Sequence, residues 1–244
     1  MPDWFEKTPI GSLMDIAASR FVTKEALCYE GNRWTFGELK DEVDHVAKGL
    51  MQLGIQPGDK IVLWMPNSPE WIHPFFAVAK IGAVLVPINT RFRTVDLEYV
   101  VRQSDAKMLI TVDRSGPVDY LEMVRELCPE IETGDPNELS PETCPELRKI
   151  VVVGNTNHRG TIRWDDVLSS AGAISSRQLE QRQQMVDPDN PALIMYTSGT
   201  TGFPKGVIHT HNILRNVSDQ ANRMGMTSRD VILMYLPLFH VFGL

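Results

Sequence analysis

Thr197-Ser198-Gly199-Thr200-Thr201-Gly202-Phe203-Pro204-Lys205-Gly206 gathers four hydroxyls, three glycines and one lysine within ten residues. Such a set can cradle a polyphosphate. Glycines let backbone N–H groups approach an anion closely, hydroxyls donate further hydrogen bonds, and the lysine adds a full positive charge. A flexible Gly/Ser/Thr turn would have a similar composition, so composition alone leaves both readings open. Spacing excludes two phosphate motifs. A Walker loop, G-x-x-x-x-G-K-S/T, fails because Phe203-Pro204 separates Gly202 from Lys205 and a glycine follows the lysine. The dinucleotide fingerprint G-x-G-x-x-G fails because the glycines fall at 199, 202 and 206.

The elements that must position this segment are legible upstream. Ala192-Leu193-Ile194-Met195-Tyr196 reads as a buried strand leading directly into it. Thr35-Phe36-Gly37-Glu38 has capping-box spacing, and Leu39, Val43, Val46, Ala47, Leu50 and Met51 recur at helical intervals until Gly54. Apolar runs at 60–65, 83–87 and 107–112 predict strands, with helices over 69–81 and 95–103 between them. That alternation predicts an α/β fold, with strands and helices alternating around mostly parallel sheets. Ile150-Val151-Val152-Val153 adds a strand, and the polar stretch 177–184 reads as an exposed helix followed by the turn 187–191.

The 244 residues are 43% hydrophobic, with 24 basic and 31 acidic side chains, which is the composition of a globular protein. From Arg125 to Leu147 seven acids stand against one base, so most of the net charge of −7 belongs to a stretch that also holds four prolines and reads as a solvated loop. Nothing here forms the basic stripe that nucleic-acid binding needs. Cys28, Cys128 and Cys144 are too scattered for a disulfide framework or a zinc site, and nothing beside them suggests a lowered thiol pKa. No apolar run is long enough for a membrane span, and the first residues lack the pattern of a secretory or transit signal, so the expected location is cytoplasmic.

From Tyr196 to Val207 the segment resembles the phosphate-loop motif of the adenylate-forming superfamily, which includes acyl-CoA synthetases, peptide-synthetase adenylation domains and firefly luciferase. Thr210-His211-Asn212 is similar to the family's T-H-x-N step, and Leu236-Pro237-Leu238-Phe239-His240-Val241-Phe242-Gly243-Leu244 to its next motif. Upstream, Trp34-Thr35-Phe36-Gly37-Glu38-Leu39, Pro57-Gly58-Asp59-Lys60-Ile61 and Ala79 to Asn89 resemble further family segments, so the likeness runs from about residue 8 to the last.

The resemblance implies part of the large N-terminal domain of an AMP-forming ligase that joins a carboxylic acid, expected to be a fatty acid, to coenzyme A through an acyl-adenylate. ATP, Mg²⁺ and coenzyme A are the implied cofactor and co-substrates. Thr197, Ser198, Gly199, Thr200, Thr201, Gly202 and Lys205 are then the phosphate contacts, with Thr201 nearest the metal. A lone histidine between apolar residues is by type a satisfied core group; the resemblance instead puts His240 where acyl carboxylate and α-phosphate meet, and Phe242 in the acyl pocket. His211 is expected to be structural, at the start of its helix. Residues 1–185 would form a first α/β subdomain and 186–244 the start of a second, with the C-terminal half and small lid domain of the family absent. Such a fragment is expected not to complete the ligase reaction alone. A homodimer is allowed. An aryl-CoA ligase, a peptide-synthetase adenylation domain, or a binding module with a vestigial anion loop are the alternatives.

Overall fold

The computed structural model describes residues 6–197, 204–240 and 242–243. After a 3-10 turn at Ile10–Ser12, helix α1 (Leu13–Phe21) leads to a hairpin of β1 (Glu25–Tyr29) and β2 (Asn32–Thr35). Helix α2 (Phe36–Gln52) begins at the expected capping box: the Thr35 hydroxyl accepts from the Glu38 N–H at 3.2 Å, and the Glu38 carboxylate accepts from the Thr35 N–H at 2.8 Å.

Then come β3 (Lys60–Trp64), α3 (Pro69–Lys80), β4 (Val84–Pro87), α4 (Thr94–Gln103) and β5 (Ala106–Val112), all within a residue or two of the predicted spans. Gly82, at φ +76°, closes α3 in the left-handed conformation that glycine adopts without strain. A small hairpin, β6 (Arg114–Ser115) with β7 (Val118–Asp119), precedes α5 (Tyr120–Leu127). After β8 (Lys149–Val153) and β9 (Ile162–Arg163), helices α6 (Trp164–Ser170) and α7 (Ser176–Gln184) connect to the hairpin of β10 (Pro191–Thr197) and β11 (Lys205–Thr210). Helix α8 (Ile213–Arg223) follows.

The main sheet runs in the order β11-β10-β4-β3-β5-β8-β9. Every neighbouring pair is parallel except β10 with β11. The strands β3, β4 and β5 read as unbroken apolar runs because both faces are covered. One core cluster lies under α2, α3 and α6 and includes Val46, Leu50, Trp71 and Val167; the other lies under α4 and α5 and includes Trp64, Val100, Leu121 and Val124.

The acidic stretch departs from the expected solvated loop. Ile131, Leu139, Cys144 and Leu147 are buried in the second cluster, and Pro129–Glu132 forms a 3-10 turn. Its acids remain at the surface or half-buried while these side chains cover the sheet.

Candidate functional site

In a parallel sheet the strands end on one edge, and the loops leaving those ends at a reversal of strand order form a natural crevice. Here β4 lies on one side of β3 and β5 on the other, which makes β3 the point of reversal. The loops leaving β3 and β4 contribute Asn67 and Asn89–Arg91, and β10, beside β4, ends on the same edge at Thr197.

Thr197 pairs with Lys205 as the last cross-strand pair of the β10–β11 hairpin, and both side chains are exposed. The hairpin thus brings the first and last residues of the predicted phosphate set together at the open end of two strands. Ser198, Gly199, Thr200, Thr201 and Gly202, also predicted for phosphate binding, lie outside the described residues. Beneath the hairpin mouth, Tyr196 meets Tyr99 edge-on at 6.5 Å between ring centroids and donates its hydroxyl to the Gln103 side chain. Burial pushes its phenol up to about 12, so it stays a neutral donor.

A cleft of about 570 Å³ opens between the loop after β4 and residues 236–242. Asn89, Thr90 and Arg91 line one side; Leu236, Pro237, Phe239, His240 and Phe242 line the other. His240 is exposed at this cleft and is not a core histidine. Its Nδ1 accepts from the Phe242 N–H at 3.3 Å, which leaves the neutral ring's proton on Nε2. The two rings stack at 5.8 Å with 9° between planes. Phe242 is 77% exposed, so it forms the rim of the cleft and not its floor. The turn is tight: a Cβ on Gly243 would sit 2.2 Å from the Pro237 carbonyl oxygen.

The other histidines divide by environment. His211 is fully buried, and its Nδ1 accepts from the Ile10 N–H at 3.1 Å. Burial pushes it down to about 4, so it is a neutral structural group, as its place before α8 suggested. His73 in α3 is also buried and pushed down to about 4. Cys128 and Cys144 are buried thiols pushed up to about 12 and about 11.

Three residues that the sequence reading did not single out belong to this region: Asn67, Asn89 and Arg91. The available signal was position alone, since each follows the carboxyl end of a predicted parallel strand. Among the described residues, no group of three His, Cys, Asp or Glu side chains could hold a metal ion, and no helix is long and apolar enough to cross a membrane.

The family profile described as AMP-binding enzyme matches residues 14–244. The Bacillus subtilis (strain 168) protein YngI, whose name assigns it provisionally to the acyl-CoA synthetases, is 38% identical over 96% of this chain and 43% of its own length. The mouse mitochondrial medium-chain acyl-CoA ligase ACSF2 is 33% identical over 97% of this chain and 40% of its own. The inhibitor-bound crystal structure of the N-terminal domain of FACL13 from Mycobacterium tuberculosis superposes with a TM-score of 0.71 at 28% identity, covering 96% of this chain and 52% of that one. The chain spans about two fifths of the length of the curated relatives it matches.

Proposed function

Since this chain belongs to the AMP-binding enzyme family, we infer that it serves an ATP-dependent ligase that activates a carboxylic acid, most consistently a fatty acid, and passes it to coenzyme A. The observation that carries this reading is the placement of the Thr197–Lys205 hairpin mouth and the His240 cleft on the same edge of the sheet.

In the reaction, a carboxylate oxygen attacks the α-phosphorus of ATP. A new O–P bond forms as the bond to the β-phosphate oxygen breaks, and pyrophosphate leaves with the electron pair. The coenzyme A thiol then loses its proton and attacks the acyl carbon, forming C–S as the C–O bond to AMP breaks. Thr197, Ser198, Gly199, Thr200, Thr201, Gly202 and Lys205 are assigned to hold the phosphates, where preorganised donors stabilise the charge that builds on the departing group. His240, with its Nε2 proton, is assigned to the oxygen shared by the carboxylate and α-phosphate, and Phe242 to the mouth of the acyl pocket. Mg²⁺ supplies charge neutralisation when bound. The Thr201 hydroxyl is a hard oxygen donor suited to hold it.

The cleft lining supports an apolar acyl group: among the described residues that line it, Leu236, Pro237, Phe239 and Phe242 stand beside Arg91 and no carboxylate. We keep the subdomain division at 185/186, the cytoplasm as the compartment and a homodimer as an allowed assembly. Helix α8 has no fully buried residue, while Ile213 and Leu214 pack partly against the first core cluster and β10 and β11 join the main sheet. The test is pyrophosphate release by the protein carrying this chain, given ATP, coenzyme A and a panel of carboxylic acids. Release driven by medium or long aliphatic acids is expected; release driven only by amino acids, or by none of the panel, contradicts the reading.

A further inference from the structure

Residues 226–235, which lead into the His240 turn, form no helix or strand, and their apolar side chains face solvent: Val231 is 92% exposed, Leu233 84% and Tyr235 79%. Upstream, the Lys24 ammonium ties this stretch at the Ser228 carbonyl, well before the turn. The turn is held at Asn67, whose side-chain Nδ2 donates to the Leu236 carbonyl at 2.8 Å while its Oδ1 accepts from the Leu238 N–H at 2.8 Å. One amide thus pairs with both sides of Pro237 as a neighbouring strand would, across 169 and 171 residues of sequence. Leu238 is then buried in the core, and the following turn closes through His240 N–H to Pro237 O at 3.0 Å and Gly243 N–H to His240 O at 2.7 Å.

Asn67 is free for this work because it does not cap α3. The N-cap is Ser68, whose side chain makes no capping bond. The Asn67 backbone is itself steadied, its carbonyl accepting from the Tyr29 hydroxyl at 3.3 Å. It lies in the loop leaving β3, three residues past Trp64, the strand's last residue.

We propose that Asn67 is a positioning residue: through Leu236 and Leu238 it fixes the loop that presents His240 and the acyl-cleft wall to substrate. The substrate part of this role rests on the ligase reading; the holding of the loop does not. Asn67→Ala removes both bonds. Asn67→Asp keeps the acceptor for the Leu238 N–H and loses the donor to Leu236. Two readouts are compared in each variant: amide hydrogen exchange over 236–243, and calorimetric affinity for a non-hydrolysable acyl-sulfamoyl adenosine and for magnesium pyrophosphate.

The expected result for Asn67→Ala is exchange at Leu238 faster by about tenfold or more, and an adenylate-mimic affinity lower by roughly tenfold to a hundredfold, with pyrophosphate affinity within about twofold of the wild type. Asn67→Asp should retain protection at Leu238 and lose less affinity. The proposal is overturned if exchange in Asn67→Ala is unchanged, if it rises while mimic affinity holds, or if both ligands weaken together. Failure of the wild-type protein carrying this chain to bind the mimic contradicts the ligase reading instead, and the exchange arm alone then decides whether Asn67 holds the loop.

Discussion

The Nδ1 of His211 accepts a hydrogen bond from the Ile10 N–H at 3.1 Å, tying the segment before α8 to the first turn of the described chain, 201 residues away. Burial pushes this imidazole down to about 4, and His73 likewise. An unfolded histidine titrates near ~6.5. Between these values the unfolded chain binds more protons than the folded one, so acid favours unfolding. The contribution of each histidine is fully present above about pH 6.5 and is lost as pH falls toward about 4, up to roughly 3 kcal/mol per group. Urea unfolding from pH 7.5 to 4.5 should show this slope, and His211→Asn, whose side-chain oxygen can accept from Ile10 without titrating, should remove its share.

Much of the architecture is legible because local signals agree with tertiary demand. The Thr35 box, the helical spacing to Met51 and the stop near Gly54 coincide with α2, and the runs at 60–65 and 107–112 match the central strands β3 and β5 to within a residue. The β1–β2 hairpin was not read, for a physical reason. Its two-residue turn uses Glu30 at φ 49° with Gly31 at φ 86°, and glutamate is not the asparagine or aspartate that marks such turns. In the acidic stretch, Ile131, Leu139, Cys144 and Leu147 follow no period, so charge and proline dominate the pattern while the apolar side chains still find the core. The proposed site rests in the sequence on contiguous motifs, as at Thr197, Lys205 and His240. Asn67, Asn89 and Arg91 meet the His240 loop only through the fold.

Lys80 is 2% exposed and its ammonium is held by the Asp15 carboxylate at 2.9 Å and by the carboxylate of Asp44. Burial raises the Asp44 pKa, but hydrogen bonds and charge from Lys40 and Lys80 more than offset it, leaving the carboxyl below the ordinary aspartate range. Its contribution is present above that range and is lost as pH falls through it. Lys80→Met should cost about 2 kcal/mol in urea unfolding at pH 7, because it removes a buried ammonium from the half-buried Asp15 and Asp44 carboxylates, of which Asp44 keeps Lys40. A loss below about 1 kcal/mol would mean that the cluster behaves like a surface ion pair.

Cys28 is exposed, whereas Cys128 and Cys144 are buried with thiols pushed up to about 12 and about 11. A thiol-disulfide reagent at pH 8 should therefore modify Cys28 rapidly in the native protein and reach Cys128 and Cys144 only in denaturant. Rapid native modification of Cys144 would show that the acidic stretch opens readily.

Gly243→Ala should act on the cleft and spare the sheet. Its new methyl group would sit 2.2 Å from the Pro237 carbonyl oxygen, so the His240 turn must open. Affinity for an acyl-adenylate mimic should fall about tenfold or more, while the midpoint of thermal unfolding moves by only about 2 °C. A large stability loss with unchanged affinity would place this turn outside the site.

The central claim is that the hairpin mouth between Thr197 and Lys205 is a working polyphosphate cradle. Calorimetric titration with magnesium pyrophosphate, comparing the wild type with Lys205→Ala, tests it most directly, since Lys205 is exposed at a strand end and its truncation leaves the core intact. The account predicts wild-type binding of about millimolar strength or tighter, weakened at least about tenfold by the substitution. Binding indifferent to Lys205, or no binding by the wild type, would contradict it.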